Sequence, residues 1–237
     1  MAYTLAVDRK LLVALLASCA LGVFFWSSPV LFPFKLLVVL MHESSHAVAA
    51  LLCGGSVVSI SVTPDEAGLT RSMMVPSLLR QVVVSSAGYV GSTLSGCVLL
   101  FTAARAKQAR WPLVLLAGWT GLVALLWVRD GFTLLFTAAM TLALIAAARF
   151  APALARRGLL VFLATFSALY ALFDIRDDLL HLTSVGETDA VILSRETHVP
   201  AIVWGVGWGL VSVLLLFLTL RAVLRATPRP ESSTSAA

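Results

Sequence analysis

Seven runs of apolar residues, each near the length a helix needs to cross a bilayer, divide this chain. They fall at 11–27, 30–53, 78–101, 111–128, 131–148, 158–180 and 200–221. The first is short, and only Arg129-Asp130-Gly131 parts the fourth from the fifth, so the pattern predicts six to seven transmembrane helices. Between the second and third runs the period changes. Val58, Ile60 and Val62 alternate with Ser59, Ser61 and Thr63, which predicts a strand over 56–63. Pro64-Asp65-Glu66-Ala67-Gly68 supplies a turn, and Leu69 to Met74 can return as a second strand. A small hairpin at the membrane surface is expected, its 56–63 strand offering an edge to an extended peptide. Gly54-Gly55 gives the preceding helix a natural stop. Residues 1–226 read as a single transmembrane domain, and the Pro-, Ser- and Thr-rich tail 227–237 as disordered.

Composition agrees with this pattern. Of the 237 residues, 59% are hydrophobic and 12% charged, more apolar surface than a soluble domain can cover. The fold class is therefore an all-α polytopic membrane protein carrying one short β-hairpin, integral and multi-pass, with lipid as its surroundings. A net charge of +5 would suggest nucleic acid in a soluble chain, but here the cations sit in short loops. Nine of them (Arg105, Lys107, Arg110, Arg149, Arg156, Arg157, Arg221, Arg225, Arg229) fall on one side. Seven (Arg9, Lys10, Arg71, Arg80, Arg129, Arg176, Arg195) fall on the other, which predicts the richer side as cytoplasmic. The first apolar run lacks an Ala-x-Ala cleavage site and reads as an uncleaved span. Cys19, Cys53 and Cys97 lack metal-ligand spacing and read as packing residues.

Chemistry concentrates in the second run. From Pro29 to Gly54 the only formal charges are Lys35 and Glu43. His42 and His46 stand four apart, one helical turn, so both imidazoles can grip one Zn²⁺ with Glu43 beside them as general base. A carboxylate in a membrane helix is costly and points to function by default. The third run carries small residues, among them Gly88, Ser92 and Gly96, suited to close helix approach. Trp204, Gly205, Gly207, Trp208 and Gly209 give the last run a similar packing face.

A catalytic zinc takes three protein ligands and leaves one position open. The sixth run ends in Phe173-Asp174-Ile175-Arg176-Asp177-Asp178, the one carboxylate cluster attached to an apolar helix. His46 lies roughly 12 Å before Gly54 and Asp174 roughly 10 Å before His181 at helical rise, so the two can share a depth. Asp174 is the expected third ligand and Asp178, one turn on, the alternative or a supporting group. Asp177 points elsewhere. Asp189 is a weaker candidate because its segment reads as a loop, and His181 and His198 read as interfacial.

These residues resemble the site-2 protease family of intramembrane zinc metallopeptidases. The likeness rests on His42-Glu43-Ser44-Ser45-His46 with its Gly-Gly stop and strand. Ser86-Ala87-Gly88-Tyr89-Val90-Gly91 and the stretch from Phe173-Asp174 to Thr188-Asp189-Ala190 resemble a divergent peptidase-like branch of it. The resemblance implies proteolysis of membrane-embedded segments, with His42 and His46 as zinc ligands and Glu43 as base. The chain departs from better-studied members in lacking an Asn-Pro pair and a Leu-Asp-Gly motif, so Asp174 rests on depth and chemistry alone. The expected activity is that of a zinc-dependent intramembrane endopeptidase acting on a transmembrane protein substrate. A non-proteolytic zinc-binding pseudoprotease is the alternative, and a small-solute or lipid transporter the third class.

Overall fold

The computed structural model describes residues 9–106, 108–180 and 188–224, with side chains from Leu11 onward and excepting 177–180. The described elements are α1 (Arg9–Phe24), α2 (Phe32–Leu52), β1 (Ser56–Val62), β2 (Gly68–Met73), α3 (Leu78–Arg105), α4 (Arg110–Trp127), α5 (Gly131–Phe150), α6 (Ala153–Leu180), α7 (Asp189–Thr197) and α8 (Ala201–Leu224). Six of the helices are long and apolar enough to cross a membrane, and α1 is a shorter apolar one. The chain is an integral, multi-pass membrane protein. The tail 227–237 lies outside the described residues.

Helix ends follow local chemistry. Pro33 sits in the first turn of α2, where its missing N–H costs nothing. At the other end Gly54 adopts φ +77°, its N–H bonds the Leu51 carbonyl, and the Gly55 N–H bonds Ala50. That left-handed closure is the stop a glycine can make without steric cost. The Asp130 carboxylate accepts from the Thr133 N–H and starts α5 within three residues of the end of α4.

α3 is the central helix, packing on α2, α6 and α8. Its small residues set the approach. A Cβ at Gly91 would run into the Ser45 side chain of α2, and one at Gly96 would meet the Ala164 carbonyl of α6 at 3.1 Å. Thr93 and Ser212 share a buried 2.8 Å hydrogen bond between α3 and α8, satisfying two hydroxyls that lipid would leave unpaired. Trp208 of α8 stacks on Tyr89 of α3 with ring centroids 4.9 Å apart.

The hairpin forms as the alternation predicts, with β1 and β2 antiparallel and a register shift between Val57 and Ser59. Its position differs from the expectation of a surface hairpin. Gly55 packs against Ala50 and Met73, Thr70 bonds Glu43, and Glu66 in the turn pairs with Lys35 at 3.1 Å. The hairpin therefore folds back along α2 from its C-terminal end almost to its first turn. Lys35, an isolated cation in the sequence, holds the hairpin tip there and lies 4.7 Å from the Trp26 ring centroid. Both charges are satisfied locally, as an apolar medium demands.

The two edges of the hairpin differ. Thr133 Oγ1 accepts from the Val62 N–H (2.9 Å) and donates to the Val62 carbonyl (3.1 Å), while Ile60 bridges Val128. The outer edge of β1, expected to receive a peptide, is thus occupied by the α4–α5 connection. No described segment pairs with the outer edge of β2. Because Val62 turns its main-chain groups away from β2, Val62 and Gly68 form a non-hydrogen-bonded pair. Alternation then directs the N–H and C=O of Gly68, Thr70 and Ser72 outward along that edge.

Candidate metal centre

The i, i+4 spacing on α2 places the two imidazoles side by side, ring centroids 4.7 Å apart. His46 is fixed from behind. Its Nδ1 lies 2.7 Å from the Val84 carbonyl of α3, which can only accept, so Nδ1 donates there and Nε2 is the nitrogen turned toward the cavity. His42 meets Tyr89 edge-on at 4.8 Å.

The third side chain arrives from α7, where the sequence pattern reads as loop. Asp189 Oδ2 stands 3.2 Å from His42 Nε2 and 3.1 Å from His46 Nε2. Among the described residues these three form a group whose ligand atoms all lie within 4.8 Å of one another. Thr188 caps α7 by accepting from the Val191 N–H, and Ala190 and Leu193 bury against Tyr89, Ile175 and Trp208. That docking turns the first residue of α7 toward the histidines. A start signal was present in the sequence: a threonine, an acidic first turn and Arg195 in the last turn. Nine residues of mixed polarity gave no spanning run to attach it to.

Asp174, the expected third ligand, lies on α6 and lines the same cavity. It is not among the three clustered groups, and Asp189 occupies the position expected of it. Asp177 and Asp178 belong to α6, but their side chains lie outside the described residues, as does His181. His198 closes α7 in the left-handed region at φ +62°.

α7 stands outside the six long apolar helices. Burial pushes the Asp189 carboxyl up, but the charge of His46, hydrogen bonds from both imidazoles and the charge of His42 outweigh it. The group is held well below the usual carboxylate range, an anion at the centre of the cluster.

Two nitrogens and one carboxylate oxygen are one of the donor sets that hold zinc in catalytic sites. Tetrahedral ligands at zinc distances stand roughly 3.3 Å apart, close to the separations of Asp189 Oδ2 from the two imidazoles. Gly88 of α3 faces the same point. A Cβ there would overlap His42 Nε2 and His46 Nε2, so glycine is what keeps the space beside the donors open. The residues present fit a zinc ion. Gly88→Ala is therefore expected to cost most of the bound zinc, measured by metal analysis of purified protein. Gly118→Ala, whose added methyl meets open space, is expected to keep it.

Glu43 is buried one residue from His42, and β2 holds its carboxylate. Thr70 Oγ1 lies 2.7 Å from Glu43 Oε2 and 2.8 Å from the Glu43 carbonyl. Oε1 sits over Gly68, where a Cβ would collide with it. Sequence reasoning did not single out Thr70, because nothing local links a strand threonine to a helix 27 residues earlier. Trp119 Nε1 donates to Ser44 Oγ, one residue on from Glu43, at 3.1 Å, tying α4 to α2.

These groups open on a cavity of about 800 Å³ walled by β2, α2, α3 and the start of α7. Neither the curated proteins nor the solved structures contain a match to this chain. The family model for Peptidase M50B-like proteins matches residues 15–219, a span that takes in the histidine helix, the hairpin and Asp189, and the chain belongs to that family of membrane metallopeptidases.

Proposed function

We propose that this chain is a zinc-dependent endopeptidase that cuts peptide segments within or beside the membrane. The observation that carries the reading is the convergence of His42, His46 and Asp189 on the space left by Gly88, with the Glu43 carboxylate beside it. Asp189 is assigned as the third ligand and Asp174 as a neighbouring anion in the same cavity. When bound, zinc polarises the scissile carbonyl and makes water a usable nucleophile near neutral pH.

The remaining work falls to the protein. Glu43 takes the proton of the attacking water and passes it to the leaving nitrogen. A membrane-embedded substrate must unwind first, since helical hydrogen bonds cover its carbonyls. The outward N–H and C=O groups of Gly68, Thr70 and Ser72 offer the extended segment a strand to pair with, along the wall of the cavity. This moves the docking edge from β1, where the sequence pattern set it, to β2.

Metal analysis and cleavage together test the reading. Detergent-purified protein is expected to carry about one zinc per chain. His42→Ala and His46→Ala are expected to lose the metal while still inserting in the membrane. Wild-type protein that stays zinc-free after supplementation, or that binds zinc yet cuts no unfolded or transmembrane model peptide, would count against it. The second of those results favours a pseudoprotease.

A further inference from the structure

We propose that Thr70 is a positioning residue that ties substrate docking to the orientation of Glu43; the proposal rests on the endopeptidase reading above. Thr70 meets two partners by two different parts of itself. Its hydroxyl lies 2.7 Å from Glu43 Oε2 and 2.8 Å from the Glu43 main-chain carbonyl, so it holds the base residue at both ends of its side chain. Its main-chain N–H and C=O face outward along the free edge of β2.

The rest of the strand serves the same arrangement. Side chains at 68, 70 and 72 share one face, and 68 and 70 are the positions against Glu43. Gly68 leaves room for Oε1, while Thr70 grips Oε2. The carboxylate is thus cradled by β2 and not by its own helix alone. A buried carboxylate with no donor would swing toward any cation or water in reach, and the Thr70 hydroxyl removes that freedom.

A peptide pairing with the edge at Thr70 fixes the strand that fixes the base. A peptide that remains helical cannot pair there, so it leaves the outer edge of β2 unsupported and the carboxylate less well aimed. Selection for unwound segments then acts on turnover as well as on binding. Lys35 and Glu66 hold the hairpin tip and β1 pairs with β2 along its inner side, so the outer edge of β2 is the side left for a peptide.

The test uses the full chain in detergent with Thr70→Val, which keeps shape and main chain but removes the donor, and Thr70→Ser, which keeps the donor. Thr70→Val is expected to hold wild-type zinc, to keep the KM for a model transmembrane peptide, and to lose about 10- to 100-fold in kcat. Thr70→Ser is expected to restore most of that loss. A melting cycle with Glu43→Ala reads the same bond without turnover. Thr70→Val should lower the melting temperature by about 2–4 °C in the wild-type background and by clearly less beside Glu43→Ala, where only the contact to the main-chain carbonyl of residue 43 is left to lose. Wild-type kcat in Thr70→Val, a raised KM as its main defect, or melting losses that simply add would overturn the proposal. If wild-type protein cuts no peptide, the endopeptidase reading falls, and the melting cycle still decides whether Thr70 holds Glu43.

Discussion

Glu43→Gln protein should bind zinc as wild type does and cleave at least about 100-fold more slowly, the scale of a lost general acid–base group. The substitution keeps the volume of the side chain and an oxygen for the Thr70 hydroxyl, so β2 has no reason to move. It removes the proton acceptor alone. Metal content by elemental analysis and cleavage of a model transmembrane peptide are measured on the same preparation. Glu43→Asp is a useful companion, since it keeps the charge and shortens the reach by one methylene, drawing the carboxylate away from Thr70. It is expected to be slow as well, because a base must stand within hydrogen-bond reach of the proton it takes. Full activity in Glu43→Gln would remove Glu43 from the chemistry and leave the metal cluster in need of another base.

Much of the fold was legible because a bilayer imposes long, separable apolar runs. The hairpin was legible from alternation, but its place was not. Alternation specifies which strand faces can be buried, and says nothing of what lies beneath them. The clue that the hairpin runs back along α2 is Lys35, a charge in an apolar helix that needs a partner. Glu66 supplies it from 31 residues away, a pairing only the folded chain discloses. The small-residue pattern of α3 marks Gly88 for close packing, and what packs against it is the pair of imidazoles. Alternation over 56–63 marks β1 as a strand and leaves open which edge of the hairpin stays exposed. Thr133 and Val128 close the β1 edge from α5 and the end of α4, far along the chain.

The histidine pair and Glu43 needed only helical periodicity, while the third position needed tertiary structure. Asp174 is the carboxylate that a count of helical rise selects, and it lines the cavity. Depth is a one-dimensional criterion, though, and direction around the helix axis decides which carboxylate meets the imidazoles. Asp189 wins on direction because α7 is docked by Ala190 and Leu193 with its first residue inward.

The two aspartates give the sharpest test of the centre. Asp189→Ala is expected to lose most of the zinc and all measurable cleavage, because two imidazoles alone hold the metal poorly. Asp189→Asn should also fail, since it keeps shape but removes the anionic oxygen that stands 3.1–3.2 Å from both Nε2 atoms. Asp174→Ala should keep about one zinc per chain. Its cost in turnover is expected to be about 10- to 100-fold at most, the range of a group that acts on the centre from outside the ligand set. Zinc affinity by competition with a colorimetric chelator, measured at one fixed pH, separates the two. Ligand protonation competes with the metal, so affinities compared across different pH values would mix two effects. Replacing Ala190 or Leu193 by Asp supplies an independent check, because each unseats α7 without touching a ligand. Both should weaken zinc binding in step with Asp189→Ala. If instead Asp174→Ala empties the site while Asp189→Ala keeps it full, α6 carries the ligand, and Asp189 is an anion that pairs with the histidines without serving the metal.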